Sequence, residues 1–281
     1  MSTNKWGLPH MGRGLGLRFQ HHEAVLEKAP PVGFLEVFPE NYLYTQGRTR
    51  YMLDKIAERY PISLHAITIA IGSTEPLDMD YLKILKKLAQ ETRAPFVSDH
   101  LCWIGIGGEN LHSVLPVPYN EESLQNIVAR VKIVQDFLER PLFIENSSGY
   151  MAYQASNIPE PEFLARMCVE GDCGLLLDVN NAYIGAYNHG FSAEELILAI
   201  PPERIGYIHV AGHMDCKTYL LDTHDRAVKD EVWELYRIAE VHTGGRSTLL
   251  EWDGRLPDLD TLCRELDKAR QYQIGGVLHV G

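Results

Sequence analysis

The five residues GLLLD at Gly174–Asp178 are continuously apolar up to the final carboxylate, as expected of a strand that is buried on both faces of a parallel sheet. Seven further short runs are nearly as apolar, namely Gly14–Arg18 (GLGLR), Gly33–Val37 (GFLEV), Ile62–Ala66 (ISLHA), Pro95–Asp99 (PFVSD), Pro141–Glu145 (PLFIE), Gly206–Val210 (GYIHV) and Ser247–Glu251 (STLLE). We therefore predict eight buried β-strands.

The segments between these strands have helical spacing. Tyr81–Ala89 has a leucine at every third residue, and Leu124–Leu138 carries one apolar stripe. In the seventh crossover, Val232, Leu235 and Ile238 repeat the pattern. Strands that alternate with helices predict right-handed crossovers and a parallel sheet.

Eight strand–helix units in about 250 residues are typical of a closed barrel. We predict an α/β protein with a (β/α)8 TIM-barrel fold, in which residues 1–281 form a single domain. A doubly wound open sheet is the alternative, but that fold has no need for eight units. Gly275–Gly281 is interpreted as a short tail after the last helix.

Composition excludes several classes of protein. The 281 residues are 45% hydrophobic and carry a formal charge of −12, with no visible basic patch, which argues against a nucleic-acid partner. No apolar run is long enough for a membrane span, and the N-terminus has no signal-peptide pattern. The five cysteines form no CxxC pair, which favours a reducing cytoplasm over a disulfide framework.

Histidines and carboxylates lie at the C-terminal ends of six successive predicted strands. They are His65, His100, Glu145, Asp178, His209 and Glu251, and Asp222 and His224 follow in the loop after the seventh strand. The reacting groups of a TIM barrel lie at these strand ends, so the six side chains are expected to share one small volume.

Such a set predicts a metal cluster. One strand histidine is more often a hydrogen-bonded core residue, and one terminal carboxylate is often a helix cap, but six such coincidences at one barrel face are improbable. Unpaired carboxylates and histidines would lose their charges there, whereas divalent cations remove that cost. Imidazole and carboxylate ligands without thiolates suit iron, manganese or zinc. Glu145, on the middle strand of the set, is well placed to bridge two ions.

The remaining histidines have simpler interpretations. His189 lies in an Asn-His-Gly turn that overhangs the predicted site, and His213 follows the seventh strand. We interpret Cys102 as a small core residue. Four histidines in helices or loops are predicted to lie on the surface: His21, His22, His112 and His242.

Taken together, the motifs resemble those of the multinuclear non-heme iron-dependent oxidative enzymes. The matching segments, which span the whole chain, are GLGLR, FLEVFPENY, LHAI, SDHL, FIENSSGY, LLLDVNNAY, NHG, IHVAGH, LDTH and LLEWD. Members include the iron oxidase of methanobactin biosynthesis and the cysteine-processing oxidase of the thiaglutamate pathway. The resemblance implies a barrel similar to xylose isomerase and to the endonuclease-four type of DNA-repair enzyme.

The same resemblance implies two iron ions bridged by Glu145. His65 and His100 would complete the first site, and Asp178, His209 and Glu251 would complete the second. A third, more loosely held ion would use three further residues, Asn181, Asp222 and His224, although the DNA-repair relatives carry a histidine at the position of Asn181. The predicted catalytic residues are Glu145, Asp178 and His209.

The resemblance further implies an enzyme that uses ferrous iron and dioxygen to oxidise a cysteine of a ribosomally made precursor peptide. A small partner protein commonly recognises the leader of that peptide. Three alternatives start from the barrel and its polar residues: a metal-dependent phosphoesterase or repair nuclease, a sugar isomerase, and a non-catalytic binding module. The charge of −12 and Asn181 argue against the nuclease, and no segment identifies a sugar pocket.

Overall fold

A computed structural model describes residues 4–274. Its strands in chain order are β1 (Arg13–Gly16), β2 (Phe34–Val37), β3 (Ile62–Ala66), β4 (Val97–His100), β5 (Trp103–Ile106), β6 (Glu109–Leu115), β7 (Phe143–Glu145), β8 (Gly174–Asp178), β9 (Ile205–Val210), β10 (Met214–Asp215), β11 (Leu220–Leu221) and β12 (Ser247–Leu250). Its α-helices are α1 (His22–Lys28), α2 (Arg48–Ala57), α3 (Met79–Glu91), α4 (Glu121–Leu138), α5 (Glu160–Glu170), α6 (Val179–His189), α7 (Ala193–Ala199), α8 (Asp230–Thr243) and α9 (Leu259–Asp267). None of the helices between residues 4 and 274 is long and apolar enough to cross a membrane. The predicted tail, Gly275–Gly281, lies outside the described residues.

Eight parallel strands form a closed barrel, in the order β1, β12, β9, β8, β7, β4, β3 and β2. Closure is visible at Leu15 of β1, which pairs with Leu250 of β12 on one side and Leu35 of β2 on the other. These eight are the predicted strands, and helices lie between them as expected. The TIM-barrel prediction is therefore confirmed, and the open-sheet alternative is wrong.

Aromatic side chains fill the lower half of the barrel. Phe96, Phe143 and Tyr207 are fully buried, and the rings of Phe96 and Tyr207 stack at a centroid distance of 4.6 Å. Glycines on the neighbouring strands make room for Phe143, since a Cβ atom at Gly174 or Gly206 would lie 2.2 or 2.0 Å from its ring. This packed layer is the floor on which the polar residues at the strand ends lie.

Two antiparallel hairpins interrupt the strand–helix alternation, and the sequence patterns did not predict them. β5 and β6 pair between the fourth barrel strand and α4, and β10 and β11 pair after the seventh barrel strand. Both hairpins leave the C-terminal ends of barrel strands, where they build up the mouth of the barrel. β6 is mostly polar, and β10 and β11 have only two residues each, so the hairpins lack the pattern of paired buried strands.

The prediction that His21 and His22 lie on the surface is wrong. Their exposed fractions are 4% and 3%, because the start of α1 faces inward against Tyr42 and Pro257. Burial, followed by the proximity of His21, lowers the pKa of His22 to about 4. The prediction of a surface position also fails in part for His242.

His242 is half-buried, and its Nε2 atom lies 2.8 Å from the carbonyl oxygen of Ile200. His112 is exposed, as predicted. Cys102 is fully buried, in agreement with its interpretation as a small core residue.

Candidate metal centre

The C-terminal ends of the barrel strands bring six predicted ligands together. His65 and His209 lie one residue before the ends of β3 and β9, and Glu251 directly follows β12. The final residues of β4, β7 and β8 complete the set: His100, Glu145 and Asp178. Their ligand atoms fall into two groups that share Glu145, each compact enough to hold one ion.

The first group consists of His65, His100 and Glu145. The Nε2 atom of His65 lies 2.9 Å from Oε2 of Glu145 and 3.2 Å from Nε2 of His100. The distance from His100 Nε2 to the same carboxylate oxygen is 3.6 Å. Ligands bound at about 2.0–2.2 Å from one ion are about 3.0–3.5 Å apart, so these three atoms are already spaced as a ligand set.

The second group adds Asp178, His209 and Glu251 to Glu145, and all four residues are buried. The Nδ1 atom of His209 lies 3.2 Å from Oε2 of Glu251. Asp178 also caps α6, because its Oδ1 accepts a 2.7 Å hydrogen bond from the backbone N–H of Asn181. Capping occupies only one carboxylate oxygen, so Asp178 serves both the helix and the cluster.

Orphaned polar atoms indicate that this donor set fits metal ions. Glu145 Oε2, Asp178 Oδ2 and Asn181 Oδ1 are buried and have no hydrogen-bond partner among residues 4–274. A buried carboxylate oxygen without a partner is costly, and a divalent cation is the partner that satisfies several such atoms at once. The prediction of a metal centre thus agrees with the local geometry.

The pKa values of the cluster show how strongly it demands positive charge. Burial by itself would lower the pKa of His100, but Glu145 and Asp99 beside it raise that pKa to about 9. Burial first, and then the carboxylate of Glu145, raise the pKa of Asp178 well above its usual range. Protons bound at such positions are readily exchanged for a divalent cation, which supplies the same positive charge.

His224 is the centre of a third group, with Glu251 and Asp253. Its Nδ1 atom lies 3.2 Å from Glu251 Oε2, and its Nε2 atom lies 2.6 Å from Asp222 Oδ1. His224 has a positive φ of 42°, a backbone conformation that is uncommon for residues other than glycine and that is concentrated at functional sites. The carboxylate of Asp253 also pairs with Arg18.

Asn181 lies against the bridging carboxylate. Its Nδ2 atom donates a 3.1 Å hydrogen bond to Glu145 Oε1 and another of 3.1 Å to the carbonyl oxygen of Asn146. Of the three residues predicted for the third ion, Asp222 and His224 contact each other. The role of Asn181 as a ligand stays a prediction.

A hydrogen-bonded chain beneath the cluster orients the ring of His65. The Tyr207 hydroxyl donates to Glu36 Oε2 at 2.8 Å and lies 2.6 Å from Ser98 Oγ, which in turn lies 2.9 Å from His65 Nδ1. Because the Tyr207 proton points to Glu36, Ser98 donates to Tyr207 and accepts from His65. This leaves His65 Nε2 as the ring nitrogen that is directed at the first group. Oε1 of Glu36 lies 2.9 Å from Nε2 of His209, so one carboxylate supports both histidines.

A cavity of about 330 Å³ opens above the cluster. Its walls include Phe38, Ser147 and Tyr150, and its floor includes Glu145 and His224. No cysteine of the described chain lines it, so a thiol at the centre would have to come from a substrate. The volume is at the lower end of the range for small-molecule sites and matches one or two amino-acid residues of a peptide.

The sequence patterns did not single out Glu36 or Asp253. Both left a signal: Glu36 is a carboxylate within an otherwise apolar strand, and Asp253 comes two residues after Glu251. Ser98 and Tyr207 left none, since each is an ordinary residue for a buried strand. Their role depends on partners far away in the chain.

Solved structures share the fold at low sequence identity. D-psicose 3-epimerase from Clostridium cellulolyticum H10 has a TM-score of 0.65 at 14% identity, with 94% of this chain and 100% of that protein covered. The IOLI protein, solved with a bound zinc atom, has a TM-score of 0.59 at 13% identity, with coverages of 95% and 98%. Similarity at these identities shows a xylose-isomerase-like TIM barrel and carries no statement about activity.

Sequence relatives are much more similar. A UPF0276 protein of Caulobacter vibrioides is 44% identical over 269 residues, with 95% of this chain and 96% of the relative covered. A UPF0276 protein of Vibrio vulnificus is 40% identical over 275 residues, with coverages of 96% and 94%. Residues 12–274 match the model of the family described as RiPP precursor modification enzyme MbnB/TglH/ChrH. The chain therefore belongs to this family of enzymes, which modify ribosomally synthesised precursor peptides.

Proposed function

We propose that this protein is an iron- and dioxygen-dependent oxidase that modifies a cysteine residue of a precursor peptide. Family membership supports the peptide substrate. The observation that carries the metal chemistry is the pair of ligand groups that share Glu145, because a shared carboxylate holds two ions close together. Iron and cysteine follow from the resemblance of the motifs, and the imidazole and carboxylate donor set is compatible with iron.

In this proposal, His65, His100 and Glu145 hold one ion, and Glu145, Asp178, His209 and Glu251 hold the second. Asp222 and His224 contribute to a third, looser ion, with Asn181 as the sequence predicts. Asp253, which lies beside His224, is a further candidate ligand of that ion. Bound iron would supply electrons to dioxygen and would lower the pKa of the substrate thiol. Glu145, Asp178 and His209 are the proposed catalytic residues because they hold the ions nearest the centre of the cluster.

The protein's own groups would prepare this chemistry in three ways. Ser98 contacts Nδ1 of His65 at 2.9 Å and so would orient Nε2 toward the first ion. Phe38, with the Arg18 guanidinium 4.3 Å from its ring centroid, forms a wall that limits water at the cavity. Ser148 donates a 3.0 Å hydrogen bond to Asp222 Oδ2 and so fixes the loop that carries His224.

The substrate would enter from the open side of the cavity as an extended segment. The exposed mouth leaves room for a small partner protein that recognises the leader of the precursor, which we retain as a proposal. The prediction of a cytoplasmic location and that of a single domain over residues 1–281 also stay predictions.

Anaerobic purification followed by metal analysis tests the proposal. We expect about two iron ions for each chain, and oxidation of a cysteine-containing peptide encoded beside the gene when dioxygen is admitted. The same peptide with serine in place of cysteine should not react. If the iron is first partly oxidised with a chemical oxidant such as ferricyanide, a ferric–thiolate absorption band on adding the peptide would support thiol binding. A protein that holds only zinc, and that is inert when loaded with iron and given dioxygen, would show the proposal to be wrong.

A further inference from the structure

The cavity above the metal centre continues toward the β5–β6 hairpin. A second cavity of about 280 Å³ shares three lining residues with it: Ile67, Ser113 and Val114. A third cavity of about 340 Å³ shares four residues with the second: Glu40, Thr68, Ile104 and Asn110. Cavities that share walls in this way are adjacent, and we call the row of them from the centre to the hairpin the hairpin groove.

The hairpin groove is negatively charged. Four carboxylates line its outer part: Glu40, Glu75, Asp78 and Glu109. Among residues 4–274, Arg130 is the one lysine or arginine in the lining of these cavities, and it is buried. All three of its donor nitrogens are engaged by the carbonyl oxygens of Ala70, Ile71 and Glu75, so its guanidinium faces backbone and not a ligand.

Three of the four carboxylates also maintain the fold. Glu40 Oε1 accepts hydrogen bonds from the N–H groups of Ile67 and Thr68, Asp78 caps α3, and Glu75 accepts from the N–H of Gly107. Glu109 differs, because its exposed side chain has no hydrogen-bond or ion-pair partner within the described part of the chain. It is the carboxylate that is available to a ligand.

Apolar and backbone features of the hairpin are suited to an extended chain. Ile106 and Tyr44 line the groove with exposed fractions of 64% and 74%, and Leu111 beside it is 48% exposed. The sheet of β5 and β6 has only two strands among the described residues, so neither strand is paired with a further strand on its outer edge. An extended peptide commonly binds by adding to such an edge, with its side chains in adjacent pockets.

We propose that the hairpin groove binds the extended segment that flanks the modified residue of the precursor peptide, with preference for a lysine or arginine that pairs with Glu109. This inference rests on the proposed function only in placing the reacting residue in the central cavity. Continuity with that cavity favours the peptide as occupant over a globular partner, because the peptide must reach the centre and a partner need not. The acidic lining favours a positively charged ligand, and no side chain of the described residues supplies a free cation to the groove.

Synthetic probe peptides test this charge preference directly. Each probe is a short fluorescent peptide with one central cysteine, and lysines on both sides of it in one version are replaced by glutamates in the other. Binding is measured by fluorescence anisotropy with the protein as purified, at low and at high ionic strength. We expect the lysine probe to bind at least about threefold more tightly, with a difference that shrinks as salt is added.

Two variants with the same change of charge separate the groove from the rest of the surface. Glu109→Lys should abolish or reverse the preference for the lysine probe, whereas Asp136→Lys, at an exposed position of α4 outside the groove, should preserve it. Equal binding of the two probes, or an equal effect of both variants, would overturn the proposal. So would a Glu109→Lys variant that binds the probes normally but loses a co-expressed partner protein.

Failure of this inference is distinguishable from failure of the proposed function. Iron content and cysteine oxidation are measured on the same preparations. If the wild-type protein oxidises cysteine but shows no charge preference, only the proposal for the hairpin groove is wrong. If the protein holds no iron but still prefers the lysine probe, only the proposed oxidase function is wrong.

Discussion

Replacing Tyr207 with phenylalanine removes the one hydroxyl that links both metal-facing histidines. Tyr207 is fully buried, and its hydroxyl contacts Ser98 Oγ at 2.6 Å and Glu36 Oε2 at 2.8 Å. Phenylalanine keeps the ring that stacks on Phe96, so the packing of the barrel floor is preserved. Only the polar chain from Glu36 to His65 is broken.

The expected loss of stability comes from the buried Glu36 carboxylate, which would lose its hydrogen bond from Tyr207. No other group in residues 4–274 is hydrogen bonded to Glu36 Oε2, and a buried hydrogen bond to a charged group contributes about 1.5–3 kcal/mol. We therefore expect the free energy of unfolding of the metal-free protein to fall by about 2 kcal/mol. Ser98 would no longer be oriented to accept from His65, and loss of such supporting groups weakens metal binding about 10-fold to 100-fold.

Urea unfolding of the metal-free protein and competitive metal titration measure the two effects separately. Tyr236→Phe is the matched control, because the Tyr236 hydroxyl is equally buried and lies 2.8 Å from Thr248 Oγ1, outside the chain of groups that reaches the ligands. This control should lose stability and keep its metal affinity. If Tyr207→Phe binds metal as tightly as the wild type, or if both variants lose affinity equally, the assigned chain does not position His65.

Four further predictions use different measurements. Glu145→Ala should reduce metal content more than any other single ligand substitution, because it removes a ligand from both groups, and full metal content by elemental analysis would contradict the bridging assignment. Asp222→Ala should retain two ions and lose only the looser third, as judged by the same measurement. Acidification from pH 7 to 5 should lower the free energy of unfolding by about 2 kcal/mol through His22. The pKa of His22 is about 4 in the folded protein but has its ordinary value in the unfolded chain, so the unfolded chain takes up the proton first as the pH falls. A His22→Gln variant should lack that part of the urea-unfolding pH dependence. Gly206→Ala should destabilise the protein by about 1–3 kcal/mol in the same unfolding assay, because the new Cβ atom would lie 2.0 Å from the buried Phe143 ring, and an unchanged midpoint would contradict this packing.

The strands were predictable because the information is local. A run such as GLLLD must be apolar on both faces to lie in a parallel barrel, and each of the eight runs shows this within five residues. The six strand-end ligands were predictable for a related reason. Parallel strands in a barrel all end at the same face, so position along each strand was enough to bring His65, Glu145 and Asp178 together.

Contacts between distant segments were not predictable in this way. The inward orientation of His21 and His22 depends on Tyr42 and Pro257, which the helical pattern of α1 does not reveal. The hairpin groove likewise exists only because an irregular, polar hairpin folds beside the central cavity.

The sequence by itself determined the barrel and the grouping of histidines and carboxylates at the strand ends, since both follow from apolar periodicity and the common direction of the strands. Only the tertiary structure decided that Nε2 of His65 faces Glu145, that Glu36 supports both His65 and His209, and that Asp253 lies beside His224. The physical reason is the range of the interactions. Tyr207 and Glu36 are 171 residues apart in the chain, and a hydrogen bond across that separation depends on side-chain positions that become defined only when the barrel closes.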